Sequence, residues 1–101
     1  MIRSRLLTEQ VKLDIQVTIT GVGRVDLLVG DWLIIELDGW EFHGDKPHFN
    51  SDRTRMVDAQ NLGYTDLPFT YEHVAFDDVA THRRIMTAIR NGAHRRPSQL
   101  A

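Results

Sequence analysis

The sequence contains no cysteine. That absence excludes disulfide scaffolds, thiolate zinc sites and thiol nucleophiles, so any metal must rest on oxygen or imidazole ligands. Long apolar runs are missing too. Stretches such as Leu33-Ile34-Ile35 fall far short of the ~18 residues of a membrane span, and the start MIRSRLLTEQ carries no signal-peptide apolar region. A soluble, cytoplasmic protein with no membrane partner is expected. Neither sign of charge dominates: 12 Lys+Arg stand against 14 Asp+Glu over 101 residues, a formal net charge of −2. A protein whose whole surface grips nucleic acid is thereby disfavoured, although a total says nothing about distribution. Internal repeats and low-complexity segments are also absent. The length is enough for one hydrophobic core and not for two.

What is present begins with alternation. Val11, Leu13, Ile15, Val17 and Ile19 are apolar while the residues between them are polar, the pattern of a half-buried strand. Gly21-Val22-Gly23 supplies a tight connection into a second strand around Val25–Val29, and Gly30-Asp31 turns again. Trp32–Leu37 is nearly continuous in apolar character, as a strand buried on both faces requires. The stretch from Phe42 to Phe49 reads as a loop. Asn50 or Ser51 is the expected N-cap of a helix running to about Leu62, with Gly63 at C′ and Met56, Ala59 and Leu62 as its buried stripe. A fourth strand is expected over Tyr64–Tyr71, at an edge or a bulge because Pro68 cannot donate to a ladder. A last helix capped by Asp77 or Asp78 would turn Val79, Ile85, Met86 and Ile89 inward and end near Gly92. The predicted organisation is a short segment 1–10, a single domain over 11–91 and a disordered basic tail over 92–101. The element order β-β-β-α-β-α describes an α/β (α+β) domain, a mixed β-sheet flanked by helices.

The chemistry concentrates between Asp26 and Asp45, which hold six of the 14 acids and no Lys or Arg. Asp31, Glu41 and Asp45 are explained as turn and loop residues. Asp26 and Glu36 are not, because each interrupts an apolar strand where an unpaired carboxylate loses several kcal/mol of solvation. Antiparallel pairing about Gly30-Asp31 places the two side by side or nearly so. Like charges at that separation repel unless a cation lies between them. Two carboxylates with water and a substrate phosphate describe a Mg²⁺ or Mn²⁺ site rather than zinc. The alternative is that one acid pairs with Arg24 or another basic residue and the other lies at an exposed strand end. Asp38 and His43 gather a further carboxylate and an imidazole at the end of the same central strand, where loop-borne functional groups collect. His48, His73, His82 and His94 show no ligand spacing with one another.

Taken in order, Gly23-Arg24-Val25-Asp26-Leu27-Leu28, Ile35-Glu36-Leu37-Asp38-Gly39-Trp40-Glu41-Phe42-His43, Phe49-Asn50-Ser51-Asp52-Arg53-Thr54-Arg55, Leu62-Gly63-Tyr64 and Phe69-Thr70 resemble the very-short-patch-repair-like (Vsr-like) domain of unknown function, a branch of the PD-(D/E)XK endonuclease superfamily. The resemblance covers roughly residues 11 to 90 and implies a restriction-endonuclease-like core that cleaves DNA phosphodiesters with a divalent metal. It makes Asp26 and Glu36 the two acids of the motif, puts Asp38 where the superfamily signature has Lys, and matches His43 to the histidine after the acidic strand. On that reading Asp26, Glu36 and the Leu37 carbonyl hold Mg²⁺ or Mn²⁺, His43 serves proton transfer, and Asp38 is a second ligand or orients His43. Asp52, Arg53 and Arg55 match the Asp-Arg-x-Arg helix start. Arg53 and Arg55, in the expected first turn, would sit unfavourably against the helix dipole unless a carboxylate or a phosphate offsets them.

The expected DNA contacts are Lys46, Arg53, Arg55, Arg83 and Arg84, the last two opening an acid-free, Arg-rich end of the chain. The expected partners are DNA and, for double-strand cleavage, a second copy in a homodimer or a companion domain. The chain departs from the branch in its short N-terminal segment and at Pro68, where the branch has Arg. A catalytically inactive nucleic-acid-binding or interaction module that keeps the fold is therefore the second reading.

Overall fold

The computed structural model describes residues 11–38, 46–95 and 97. Among these the chain forms strands β1 (Leu13–Ile19), β2 (Gly23–Val29) and β3 (Leu33–Asp38), helix α1 (Lys46–Asn61), strand β4 (Thr65–Thr70), and helices α2 (Tyr71–Phe76) and α3 (Asp78–Arg90). The strands make one sheet in the order β1-β2-β3-β4. The first two neighbour pairs are antiparallel and β3–β4 is parallel. This is the mixed sheet of the expected α+β class. The meander follows from its short Gly-containing turns, and the parallel pair needs the long crossover that α1 supplies.

Strand β3 lies inside the sheet, with Leu33, Ile34 and Ile35 fully buried. Two clusters divide its side chains. Leu33 and Ile35 join Leu27, Val29 and Phe69 with Ile85 and Ile89 of α3, while Ile34 joins Val25, Leu28 and Ile19 with Ala59 of α1. Helices α1 and α3 thus cover opposite faces of the sheet. Residues of one parity in β1 change face between the clusters: Leu13 packs with the first and Val17 and Ile19 with the second. The switch falls at Gln16, whose φ of 51° costs a non-glycine residue about 1–2 kcal/mol. Strand β4 is an edge strand, which accommodates Pro68 as its sequence required.

Several local expectations need correction. Helix α1 starts at Lys46, so Asn50 and Ser51 lie inside it and do not cap it. The reason is Pro47: within a first turn its missing N–H has no helical partner to lose, so residues 46–49 of the stretch read as a loop start the helix, and residues 42–45 lie outside the described residues. Arg53 and Arg55 consequently stand beyond the first turn, away from the dipole conflict. Leu62 is 51% exposed. It follows the last helical residue and lies over Gly21, where a Cβ would come 3.1 Å from its Cδ1. The end of α1 is a Schellman motif: Gly63 N–H donates to Gln60 O and Tyr64 N–H to Ala59 O, both at 3.0 Å, with Gly63 at φ 101°.

An additional helix, α2, was not anticipated. Thr70 ends β4 and caps α2 at once: its hydroxyl accepts from His73 N–H, while His73 Nδ1 accepts from Thr70 N–H. Val79 is 58% exposed rather than inward: it stands six residues before the buried Ile85, about 240° round the helix and off its inward face. Thr81, four residues before Ile85, takes the buried position and its hydroxyl donates to His73 O at 2.9 Å. Thr81→Val should lower stability by about 1–2 kcal/mol, because it deletes that donor and leaves His73 O without it. Urea unfolding measures this, and an unchanged midpoint would mean that the bond contributes nothing.

The stretch expected as a disordered tail begins as packed structure. Asn91–Arg95 form turns, Gly92 closes α3 with φ 82°, and Ala93 packs against the first cluster. His94 O accepts from Asp31 N–H at 3.0 Å. Burial, with Arg95 adding to it, holds the His94 imidazole below its usual range. The Gly30-Asp31 turn is in addition tied to the residue that precedes β1, by Gly30 N–H to Lys12 O at 2.8 Å and by Lys12 Nζ to Asp31 Oδ1 at 3.0 Å. Asp31, through that hydrogen bond and its charge, raises the Lys12 ammonium above its usual range.

Candidate functional site

The β2–β3 ladder runs from Val29↔Leu33 to Leu27↔Ile35. The next positions along the two strands are Asp26 and Glu36, so the register brings the two interrupting acids opposite one another, as the turn at Gly30-Asp31 required. At this point the ladder opens. In place of a backbone partner, the Asp26 carboxylate reaches across and its Oδ2 accepts from Leu37 N–H at 2.8 Å. A hydrogen bond from a main-chain amide to a carboxylate is among the stronger ones, about 1.5–3 kcal/mol. Asp26 therefore holds the strand end beside Glu36.

Glu36 shares its face of β3 with Ile34, toward α1, and is 8% exposed. Its cationic neighbour is Arg55, with Nη2 3.6 Å from Oε2. A second guanidinium nitrogen, Nη1, donates to Arg24 O on β2. The Arg55 stem passes over Gly23, whose φ of 111° favours glycine; a Cβ there would stand 3.5 Å from Arg55 Cδ, an ordinary contact. The Arg24 guanidinium is held in turn by Gln16 Oε1 at 2.7 Å. Gln16, Asp26 and Glu36 thus occupy one row across β1, β2 and β3, with Arg24 and Arg55 beside it.

Of the residues singled out in the sequence, the fold brings together Asp26, Glu36, Leu37 and Arg55. Arg53 is exposed on the same helix as Arg55. Arg83 and Arg84 are exposed on α3, which covers the other face of the sheet, and Arg84 Nη1 stands 3.9 Å from Asp77 Oδ2. They do not join the acid pair. Asp38 ends β3 opposite Thr70 and Lys46 begins α1, but their side chains, that of Asp52, and the whole of His43 lie outside the described residues. Among the described residues, no group of three or more His, Asp or Glu side chains is gathered as a metal site. Gln16 had no signal in the sequence, where it fills an ordinary polar position of the alternation. Its left-handed backbone shows only in three dimensions.

Comparison of the chain with protein-family models, with curated proteins and with solved structures yields no match. Among the described residues, no helix is long and apolar enough to cross a membrane.

Proposed function

We propose that the chain is a metal-dependent DNA endonuclease domain with a restriction-endonuclease-like core, and that Asp26 and Glu36 hold its divalent ion. The observation that carries the reading is the pair itself: two acids on neighbouring strands, at the point where the ladder opens, one reaching to the backbone beside the other. The donor set fits Mg²⁺ or Mn²⁺, since both side chains offer hard carboxylate oxygens. The Leu37 carbonyl is the third donor of this reading. When bound, the ion supplies Lewis-acid polarisation of a phosphate and acidifies a water. Asp26 keeps the end of β3 in place, and Arg55 and Arg53 on α1, with Lys46 at its start, offer cations to the DNA backbone. Asp38 and His43 keep the roles that the family resemblance gives them, a second ligand or orienting group and a proton carrier. Arg83 and Arg84, on the far helix, are left out of this interface.

One observation favours the second reading, a non-catalytic nucleic-acid-binding or interaction module: Glu36 already has a cation in Arg55. Plasmid nicking separates the two. The purified protein should relax supercoiled DNA with Mg²⁺ or Mn²⁺ and lose this activity on addition of EDTA. Asp26→Asn should abolish cleavage. DNA binding without cleavage under any divalent ion would establish the module instead, and equal cleavage by wild type and Asp26→Asn would remove Asp26 from the site.

A further inference from the structure

We infer that the C-terminal end of α3 carries a separate anion site, a pocket between Arg90 and Arg95 that takes a phosphate monoester. The site stands apart from the acid pair: α3 packs on the face of the sheet that α1 leaves uncovered, and the turn that follows it meets the Gly30-Asp31 end of the ladder rather than the end at Asp26 and Glu36. An open pocket of about 230 Å³ is lined here by Arg90, Asn91, Gly92 and Arg95. That is below the ~300–1,000 Å³ of sites for drug-sized ligands and fits a small polar ion. Residues 79–101 contain five arginines and neither an acid nor a lysine. Among the described residues, neither Arg90 nor Arg95 meets a carboxylate, and Asp31, whose amide touches the turn, has its own cation in Lys12 Nζ at 3.0 Å.

A helix C-terminus opposes an anion chiefly through its unsatisfied carbonyls, and here the backbone satisfies them. Asn91 N–H donates to Thr87 O at 3.0 Å, Gly92 N–H to Ile89 O at 2.9 Å and Ala93 N–H to Ala88 O at 3.0 Å. The arginines are therefore not needed as caps. Arg90 Nη2 donates to Thr87 Oγ1 at 3.3 Å, and that hydroxyl donates to Arg83 O at 2.9 Å. One of the five donors of Arg90 thus orients the guanidinium, and the rest of the fork faces a ligand. The turn that bears Arg95 is fixed as well, by Arg95 N–H to Gly92 O at 3.1 Å and by the bond from Asp31 N–H to His94 O, so little ordering is left to the moment of binding. Two guanidinia bring two positive charges. A monoester, at about −1.5 to −2, neutralises both, whereas a phosphodiester, at about −1, does not.

Titration of the full chain with inorganic phosphate, followed through its backbone amide resonances, tests this. Those of Arg90, Gly92 and Arg95 should shift saturably, and sodium chloride at the same ionic strength should not reproduce the curve. Arg90→Gln and Arg95→Gln should each weaken binding about tenfold or more. Arg83→Gln, which removes an exposed arginine of the same helix, should leave it unchanged. Two oligodeoxynucleotides of one sequence, with and without a 5′-phosphate, identify the source of the monoester. A phosphorylated strand that binds about tenfold tighter at these resonances makes it a nucleic-acid end, and phosphate binding with no response to either strand makes it a free small molecule. The inference is overturned by the absence of a saturable response to phosphate, by an equal loss in Arg83→Gln, or by equal binding of the two strands at these resonances. None of these results bears on cleavage at the acid pair.

Discussion

Gly30→Ala is expected to destabilise the domain by about 2–4 kcal/mol, seen as a fall of roughly 10–20 °C in Tm. Two costs combine. Gly30 has φ 59°, a left-handed conformation that disfavours alanine by about 1–2 kcal/mol. The larger cost is contact: a Cβ there would stand 2.3 Å from His94 O and 3.1 Å from His94 C. These are backbone atoms of a turn that packs Ala93 against the core, and that oxygen accepts the Asp31 amide. Relief requires the 91–95 turn to lift, exposing Ala93 and breaking the bond to Asp31. The attribution is checked by a double-mutant cycle with a chain ending at Asn91. Removing the obstructing turn should make the two changes clearly non-additive. A Gly30→Ala protein within about 0.5 kcal/mol of wild type would show that the turn yields at no cost.

Glu36→Gln is expected to separate function from folding. Cleavage should fall by about a hundred- to a thousandfold, since an amide is a poor ligand for a hard divalent ion and leaves the site one charge short. Stability should change by only about 1 kcal/mol: the glutamine keeps the volume and an oxygen toward Arg55, and the burial of an ionised carboxylate is itself costly. Glu36→Ala lacks both compensations and should lose about 1–3 kcal/mol, because it also empties the space under α1. The comparison uses nicking rates beside urea midpoints. Wild-type cleavage by Glu36→Gln would exclude Glu36 from the metal site, and a collapse of the fold in Glu36→Gln would assign the residue to structure.

The meander was legible because strands announce themselves locally. Alternation in β1, the Gly30-Asp31 turn and the apolar run of β3 together set a register, and that register put Asp26 opposite Glu36. Pro68 likewise announced an edge strand or a bulge, and β4 lies at the edge. The failures have separate causes. The start of α1 was hidden because Pro47 serves a loop and a first helical turn equally well. The inward face of α3 excludes Val79 by the helical period, since Val79 is six residues before Ile85 and Thr81 is four. The need of the acid pair for a cation was readable from desolvation alone. That Arg55 supplies one depended on the crossing of α1 over Gly23, which no local pattern encodes.

The spatial order of the strands repeats their order in the chain, and this has a kinetic consequence. β1, β2 and β3 meet through short turns, whereas β3 meets β4 only after all of α1 has been traversed, Leu33 pairing with Thr65. Loop closure makes the near pairings fast and the far one slow. Both acids belong to the early meander and Arg55 to the late crossover. Folding is therefore expected to bring the two carboxylates together first and Arg55 to Glu36 last, which makes the docking of α1 the step most sensitive to ionic strength and to divalent cations.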